Sequence, residues 1–320
     1  MIVAILGAGP AGMSCANACL SFGLTPVVIE RSDHVGGAQR SNFHANLWLL
    51  GSPSESGQDL TRRLVAHYRE LEVATLLGTR LDGLENSHAA ALPGGGFVMH
   101  LHTPEGPRDL TVNALVIASG MRPNTTPELA ALAQASARVI VGPLNDTIRD
   151  HVRDHDVLIL GGGDNALDHA LFLAERGNRI RVCTRGVFAG RESLMAACRQ
   201  RPEIELVAGC RPEELAADAE GVTARLAADE ARRYDWLLVM YGYKPNTEVV
   251  ETFAPTLRPE RIPSGHLRVD AWQRTTVPGI YAAGDVTETV QPAIPTAIAQ
   301  GLAAAKAIER DWKAGRLNEH

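Results

Sequence analysis

Five consecutive apolar residues, Ile2-Val3-Ala4-Ile5-Leu6, stand at the start of the chain. An apolar run of this length without alternation predicts a strand buried on both faces, as in a parallel sheet. Glycine and proline punctuate it at once in Gly7-Ala8-Gly9-Pro10-Ala11-Gly12, and an Ala-rich stretch to about Phe22 then predicts a helix. A second apolar run, Pro26-Val27-Val28-Ile29, predicts another strand and stops at Glu30. The same order returns later. Val157-Leu158-Ile159-Leu160 leads into Gly161-Gly162-Gly163-Asp164-Asn165-Ala166, a helix to about Arg176, and the strand Arg179-Ile180-Arg181-Val182-Cys183. Gly161 lies 154 positions after Gly7, and Thr184 lies 154 positions after Glu30. Each unit has an apolar closing strand downstream, Leu115 to Ile117 before Ala118-Ser119-Gly120 and Leu237 to Met240 before Tyr241-Gly242. Alternating segments, Phe97–Thr103 and Val222–Leu226, precede them and predict antiparallel strands.

The repeat assigns an α/β fold class: two Rossmann-like three-layer units, one for each glycine cluster. The glycines permit a tight turn and let backbone N–H groups approach a pyrophosphate at a helix N-terminus. A carboxylate at the end of the second strand, here Glu30, accepts hydrogen bonds from an adenosine ribose. The second unit has Thr184 at that place, followed by Arg185, with Arg191 near by. A missing acid beside a guanidinium suits a 2′-phosphate, so the second unit points to NADP in preference to NAD; Arg185 as a solvated loop residue is the alternative. Two dinucleotide sites on one chain imply electron traffic between two dinucleotides, FAD at the first and a nicotinamide at the second.

Composition narrows the class. Three hundred and twenty residues suit two domains, and 45% hydrophobic with 21% charged residues is a globular balance. The net charge of −6 and the lack of any Lys/Arg run exclude a nucleic-acid footprint. No apolar stretch approaches the ~20 residues of a membrane helix. The apolar start lacks a basic n-region and is broken by glycine and proline, which argues against a signal peptide. Five widely spread cysteines are no disulfide framework, so the expectation is a soluble, cytoplasmic protein.

With Gly36-Gly37, Gly242-Tyr243-Lys244-Pro245-Asn246-Thr247 and Pro278-Gly279-Ile280-Tyr281-Ala282-Ala283-Gly284-Asp285, these motifs resemble the low-molecular-weight thioredoxin reductase family of flavoproteins. The resemblance covers nearly the whole chain. It implies an FAD domain in two segments, 1–122 and 245–320, with the nicotinamide domain 123–244 inserted, and a homodimer. It implies that FAD is held by Gly7, Gly9, Pro10, Ala11, Gly12, Glu30 and Arg31, by Gly37, Ala38 and Gln39, and by Ala118, Ser119 and Gly120. Gly284 and Asp285 would hold its ribityl chain, and Gln291, Pro292 and Ala293 would open a helix beside its isoalloxazine. Trp48 is a candidate to flank the ring or to fill an apolar gap. NADP would fall to Gly161, Gly162, Gly163, Asp164, Asn165 and Ala166, with Thr184, Arg185, Arg191 and Gly242.

The departure lies in the cysteines. Thioredoxin reductases place a C-x-x-C pair shortly before the second glycine cluster; that stretch here runs Val141-Gly142-Pro143-Leu144-Asn145-Asp146-Thr147-Ile148. The segment just after Gly36-Gly37, Ala38-Gln39-Arg40-Ser41, has none either. A dithiol must lie against the flavin and close a disulfide of fixed geometry. The expectation is therefore an FAD-dependent NAD(P)H oxidoreductase that passes electrons from NADPH through FAD directly to ferredoxin, flavodoxin or a small molecule. Two alternatives are a flavin oxidase or reductase acting on a small-molecule substrate and a nucleotide-binding flavoprotein without turnover. Other chemistry is thin. Cys15 and Cys19 share a helix face and read as packing residues. His100 and His102 alternate on one strand, and His151 and His155 are spaced as one helical face within a solvated segment; no residue set predicts a metal site. Ser56-Gly57-Gln58-Asp59 ahead of Leu60, Leu64 and Leu71 predicts a capped amphipathic helix.

Overall fold

The two repeats become two compact units, Met1–Met121 with Pro245–His320, and Arg122–Lys244. The computed structural model describes all residues except 46–48, 53, 88–94, 144, 227–229 and 318–320. Strands and helices are numbered along the chain.

In the first unit, β1 (Ile2–Leu6), α1 (Pro10–Ser21) and β2 (Thr25–Ile29) form the opening βαβ, and α2 (Gly57–Glu70) precedes β3 (Ala74–Leu76). β7 (Ala114–Ile117) and β18 (Ile280–Ala282) complete a parallel sheet of order β18-β7-β1-β2-β3. Side chains alternate across it. Val3, Ile5, Val28, Val116 and Tyr281 pack with Cys15 and Cys19 of α1 and Ala304 and Ile308 of α7 (Ile294–Lys313). Ala4, Leu6, Ile29, Leu115 and Ile117 meet Leu84, Phe97, Met99 and Leu101 of an antiparallel sheet, β4 (Arg80–Asn86), β5 (Phe97–Thr103) and β6 (Gly106–Val112). The unit thus has three layers, helices, parallel sheet and antiparallel sheet. A Leu or Met cut to Ala in such a core costs ~2–5 kcal/mol. α1 and α7 approach closely, since a Cβ on Gly301 would lie 2.2 Å from the Ala11 carbonyl oxygen. Ser56 caps α2, accepting from the Asp59 N–H at 3.1 Å while Asp59 accepts from the Ser56 N–H, so the capping box read in the sequence forms.

β8 (Met121–Pro123) leads into the second unit, with α3 (Pro127–Ala135), β9 (Val139–Val141) and α4 (Asp146–His151) before its βαβ. That motif is β10 (Asp156–Leu160), α5 (Asp164–Ala174) and β11 (Arg179–Cys183). α6 (Glu192–Arg199), β12 (Ile204–Val207) and β16 (Trp236–Val239) follow, and the parallel sheet has the order β12-β11-β10-β16-β9. One face packs Leu158, Leu160, Leu237 and Val239 against the antiparallel β13 (Pro212–Ala217), β14 (Val222–Leu226) and β15 (Arg232–Tyr234). α5 buries Leu167, Ala170 and Leu173. β17 (Tyr243–Pro245) pairs with β8, so both crossings of the chain between units lie in one two-stranded ribbon.

His151 and His155 do not share a helical face. α4 ends at His151, and Asp154 turns the chain with φ +56° while its N–H donates to the Arg176 carbonyl at 3.1 Å. His155 then sits beside Asp235, Nδ1 to Oδ2 at 3.5 Å. That tertiary anchor outweighs the helical spacing. His100 and His102 do lie on β5 as alternation predicts, and His100 Nδ1 lies 2.8 Å from Asp109, which pushes its imidazole up.

Candidate functional site

In each sheet the first strand of the repeat is central: β1 between β7 and β2, β10 between β16 and β11. Such a strand is the switch point of a doubly wound sheet, and the crevice at its carboxyl end is where such folds bind ligands. Both glycine clusters leave that end. Gly7 has φ +109° and a Cβ there would lie 2.4 Å from the Ala118 carbonyl oxygen; Gly161 has φ +148° and a Cβ would lie 2.2 Å from the Met240 carbonyl oxygen. Each loop therefore turns hard against the end of its unit's closing strand, and a side chain there is barred twice over.

In the first unit Gly9 caps α1 without a side-chain hydrogen bond, Pro10 takes the first turn and no acid stands in it. The open N–H groups beyond, at Ala11 and Gly12, form an anion cradle. Glu30 closes one side, its carboxylate accepting from the Ala8 N–H at 2.7 Å and the Ser32 N–H at 2.8 Å. Gly36 donates to the Ala8 carbonyl at 2.9 Å, which brings Gly37 and Ala38 beside the loop. Gln39 accepts from Asn42 Nδ2 at 2.8 Å, so its side chain braces the 3₁₀ turn Gly37–Ser41, while Arg31 is exposed. Ala118 follows β7; Ser119 Oγ donates to the Asn246 carbonyl and the Asn246 N–H to the Gly120 carbonyl, both at 2.8 Å. Trp48 lies outside the described residues.

Gly284 and Asp285 follow β18. Gln300 of α7 accepts from the Gly284 N–H at 2.8 Å, and the Asp285 carboxyl is half-buried with no hydrogen-bond donor among the described residues. Burial pushes that carboxyl up, opposed by the charge of nearby His266. An acid in this state suits a polyol hydroxyl, so the donor set fits a flavin ribityl chain and the α1 cradle fits its pyrophosphate. Gln291 and Pro292 are exposed ahead of α7, whose N-cap Ala293 provides no side-chain bond.

The second unit handles the same geometry differently. Gly163 caps α5 without a side-chain bond, and Asp164 at its first turn accepts from Arg191, backbone N–H and Nε both at 2.7 Å. The Gly162 carbonyl accepts from the N–H groups of Ala189 and Gly190, at 2.8 and 3.1 Å, so segment 185–191 folds against the glycine loop. Asn165 and the buried Ala166 continue into α5. Thr184 packs on Gly162, where a Cβ would meet its Oγ1 at 2.7 Å. Arg185 is exposed, its guanidinium carbon 5.4 Å from the centre of the Tyr241 ring, next to Gly242. The structure thus brings Gly161 to Ala166, Thr184, Arg185, Arg191 and Gly242 to one crevice. Sequence reading missed Tyr241, Gln300, His266 and the backbone of Ser32; only Tyr241, an aromatic just before Gly242, offered a local signal.

All five cysteines are free and buried. Its hydrogen bond with Cys19, together with burial, pushes the Cys15 thiol well up, the state of a packing residue rather than a redox nucleophile. Among the described residues no group of three or more His, Cys, Asp or Glu is placed to hold a metal ion, and no helix is long and apolar enough to cross a membrane.

Two parallel-sheet units, each with a glycine loop and helix N-terminus at its switch point, define a protein of the two-dinucleotide oxidoreductase class. Residues 1–301 match the model of the pyridine nucleotide-disulphide oxidoreductase family, and the chain belongs to it. It is similar to the ferredoxin–NADP reductase of Limosilactobacillus fermentum, 30% identical over 88% of this chain and 84% of that one. It is also similar to the thioredoxin reductase of Coxiella burnetii, 25% identical over 96% and 94% of the two chains. Its fold matches that of the T. acidophilum thioredoxin reductase, with a TM-score of 0.78 at 20% identity over 97% and 98% of the chains.

Proposed function

We propose that this chain is an FAD-dependent NADPH oxidoreductase that delivers electrons directly to an external acceptor, a ferredoxin or flavodoxin, without a dithiol relay. One observation carries the proposal: a two-dinucleotide flavoprotein fold whose five cysteines are all free, buried and outside any C-x-x-C. Curated ferredoxin–NADP reductases from Limosilactobacillus fermentum and Salinispora tropica, 30% and 28% identical, support the acceptor class. In this reading segments 1–122 and 245–320 form the FAD domain and 123–244 the NADPH domain of a cytoplasmic homodimer.

The residues divide the work. Ala11 and Gly12 N–H groups and the α1 dipole hold the FAD pyrophosphate, Glu30 the adenosine ribose, and Asp285 the ribityl hydroxyls. The α7 N-terminus beyond Gln291, Pro292 and Ala293 places a positive dipole beside the ring system, favouring negative charge there. Bound flavin supplies hydride acceptance and one-electron release, so the protein's part is binding, orientation and electrostatics. At the second site, Thr184 in place of an acid removes repulsion of a 2′-phosphate, and Arg185 and Arg191 supply the cations.

Anaerobic addition of NADPH to the flavin-loaded protein should bleach the flavin absorption at far lower concentration than NADH. The reduced protein should then reoxidise rapidly with ferredoxin or flavodoxin. Absence of bleaching by either nucleotide refutes the proposal. Reoxidation by a small quinone or oxygen but by neither carrier protein transfers the reading to a small-molecule oxidoreductase.

A further inference from the structure

β11 and β16 flank β10, so Arg185, just after β11, and Tyr241, just after β16, leave the sheet on opposite sides of the glycine loop. Their side chains nevertheless meet, the guanidinium carbon 5.4 Å from the ring centre, within cation–π range. The contact spans the carboxyl end of the strand that carries Gly161. The ring is anchored: Tyr241 is half-buried against the β13–β15 side of the core, and burial pushes its phenol up. Arg185 is the opposite, an exposed side chain with four rotatable bonds and no ion pair among the described residues. Left in water it would lose much of its rotamer freedom on gripping a phosphate.

We propose that Tyr241 is a positioning residue for coenzyme choice: its ring orders the guanidinium of Arg185, which stands just after β11, where the 2′-phosphate of NADPH arrives. This rests on the reading of the second unit as the NADPH unit. The stack orders the guanidinium before binding and leaves its N–H edge for the phosphate oxygens, because a cation–π contact uses the face and bidentate phosphate binding uses the edge. Arg191 is ordered differently, by the Asp164 carboxylate at 2.7 Å. Two cations are thus pre-arranged from two sides, one by an aromatic ring and one by an acid. An NADH molecule, lacking the 2′-phosphate, gains nothing from the ring's hold on Arg185. Tyr241 therefore acts on the difference between the two coenzymes and not on their shared parts.

The test is calorimetric binding of 2′,5′-ADP and of 5′-ADP to the flavin-loaded protein carrying Tyr241→Leu, Tyr241→Phe, Arg185→Ala, or Arg185→Ala with each. Tyr241→Leu should raise the Kd for 2′,5′-ADP roughly three- to thirtyfold, the span of a cation–π contact. It should change the Kd for 5′-ADP by less than about twofold. Tyr241→Phe keeps the ring and should retain the preference, and in the Arg185→Ala background Tyr241→Leu should have no further effect on 2′,5′-ADP. An equal loss of affinity for both ligands overturns the proposal, since the ring then serves the adenine or the packing. So does an unchanged Kd for 2′,5′-ADP. Tyr241→Met supplies the same test if leucine fails to pack. Wild-type protein that binds both ligands equally overturns the NADPH reading itself, whereas discrimination that survives Tyr241→Leu overturns only the role of the ring.

Discussion

Glu30 holds the first glycine loop, and the ribose-binding role proposed for it separates experimentally from that one. Its two carboxylate oxygens accept from different backbone groups, Ala8 at 2.7 Å and Ser32 at 2.8 Å. Glu30→Gln keeps one acceptor oxygen but turns an NH₂ group toward the other N–H. It therefore removes one charge-assisted hydrogen bond and leaves a donor facing a donor. Hydrogen bonds to charged groups contribute ~1.5–3 kcal/mol, and partial exposure here places the loss at the lower end, ~1–2 kcal/mol. A unit of this size responds with ~2–4 °C per kcal/mol, so the flavin-free protein should melt roughly 2–8 °C lower. The FAD Kd, read by quenching of flavin fluorescence, should rise at least about tenfold, because the ribose contact is lost as well. The decisive comparison is calorimetry of the flavin-free variant against the flavin-free parent. A melting temperature unchanged within about 1 °C, with weakened FAD binding, refutes the loop-holding role and leaves only the ribose.

Asp285→Asn should weaken FAD about ten- to a hundredfold in the same fluorescence titration, as expected for a lost charged acceptor, yet raise the melting temperature of the flavin-free protein at neutral pH. The reason is linkage: burial raises this carboxyl in the folded state, so between the unfolded and the folded value the folded protein holds a proton that the unfolded chain has released, and above both the buried charge keeps its cost. Its contribution to stability falls as pH rises from the unfolded value, ~3.9, through the raised folded value, and the asparagine variant lacks that fall. Asp311→Ala should cost ~3–5 kcal/mol in chemical denaturation. It strips the acceptor from Arg274 (2.7 and 2.8 Å) and from the Tyr281 hydroxyl (2.8 Å) at a carboxylate only 2% exposed. Gly301→Ala should lower both the melting temperature and the flavin content of purified protein, since its Cβ would lie 2.2 Å from the Ala11 carbonyl oxygen and would push α7 from the helix carrying the cradle.

What could be read in the sequence follows from what is local. β1, β10 and β5 were legible because apolar runs or strict alternation ended at glycine or polar punctuation, and Ser56 with Asp59 is a capping signal complete within four residues. The glycine loops were legible because the turn and the residues that permit it are contiguous. Asp154 shows the limit: a left-handed residue held by Arg176, 22 positions away, broke the helical spacing of His151 and His155. The hold of Asp164 on Arg191 and of Tyr241 on Arg185 likewise joins residues brought together only by the parallel sheet. No periodicity carries such pairs. Their parts were visible, but not their partners.

The two halves show why one plan can serve two dinucleotides. Gly7 and Gly161 meet the end of a closing strand in the same way, 2.4 and 2.2 Å from a carbonyl oxygen to a would-be Cβ. Beyond that turn the units part. A Cβ on Gly12 would lie 1.9 Å from the Gly7 carbonyl oxygen, so the first helix lies too close to its loop for any side chain, whereas the second unit buries Ala166 at the corresponding position. The first loop is tied by an acid, Glu30, beside the Gly36 N–H on the Ala8 carbonyl, whereas the second is tied by the N–H groups of Ala189 and Gly190 on the Gly162 carbonyl. Tying the loop with backbone leaves the end of the second strand without a carboxylate. Thr184 fills that space against Gly162, and the only acid in the first turn of α5, Asp164, is engaged by Arg191. The first turn of α5 thereby presents no unpaired acid beside Thr184. On the proposed NADPH reading, a Thr184→Glu exchange should shift the preference toward NADH, read as the ratio of the Kd values for 2′,5′-ADP and 5′-ADP, because it returns a carboxylate to the end of the second strand.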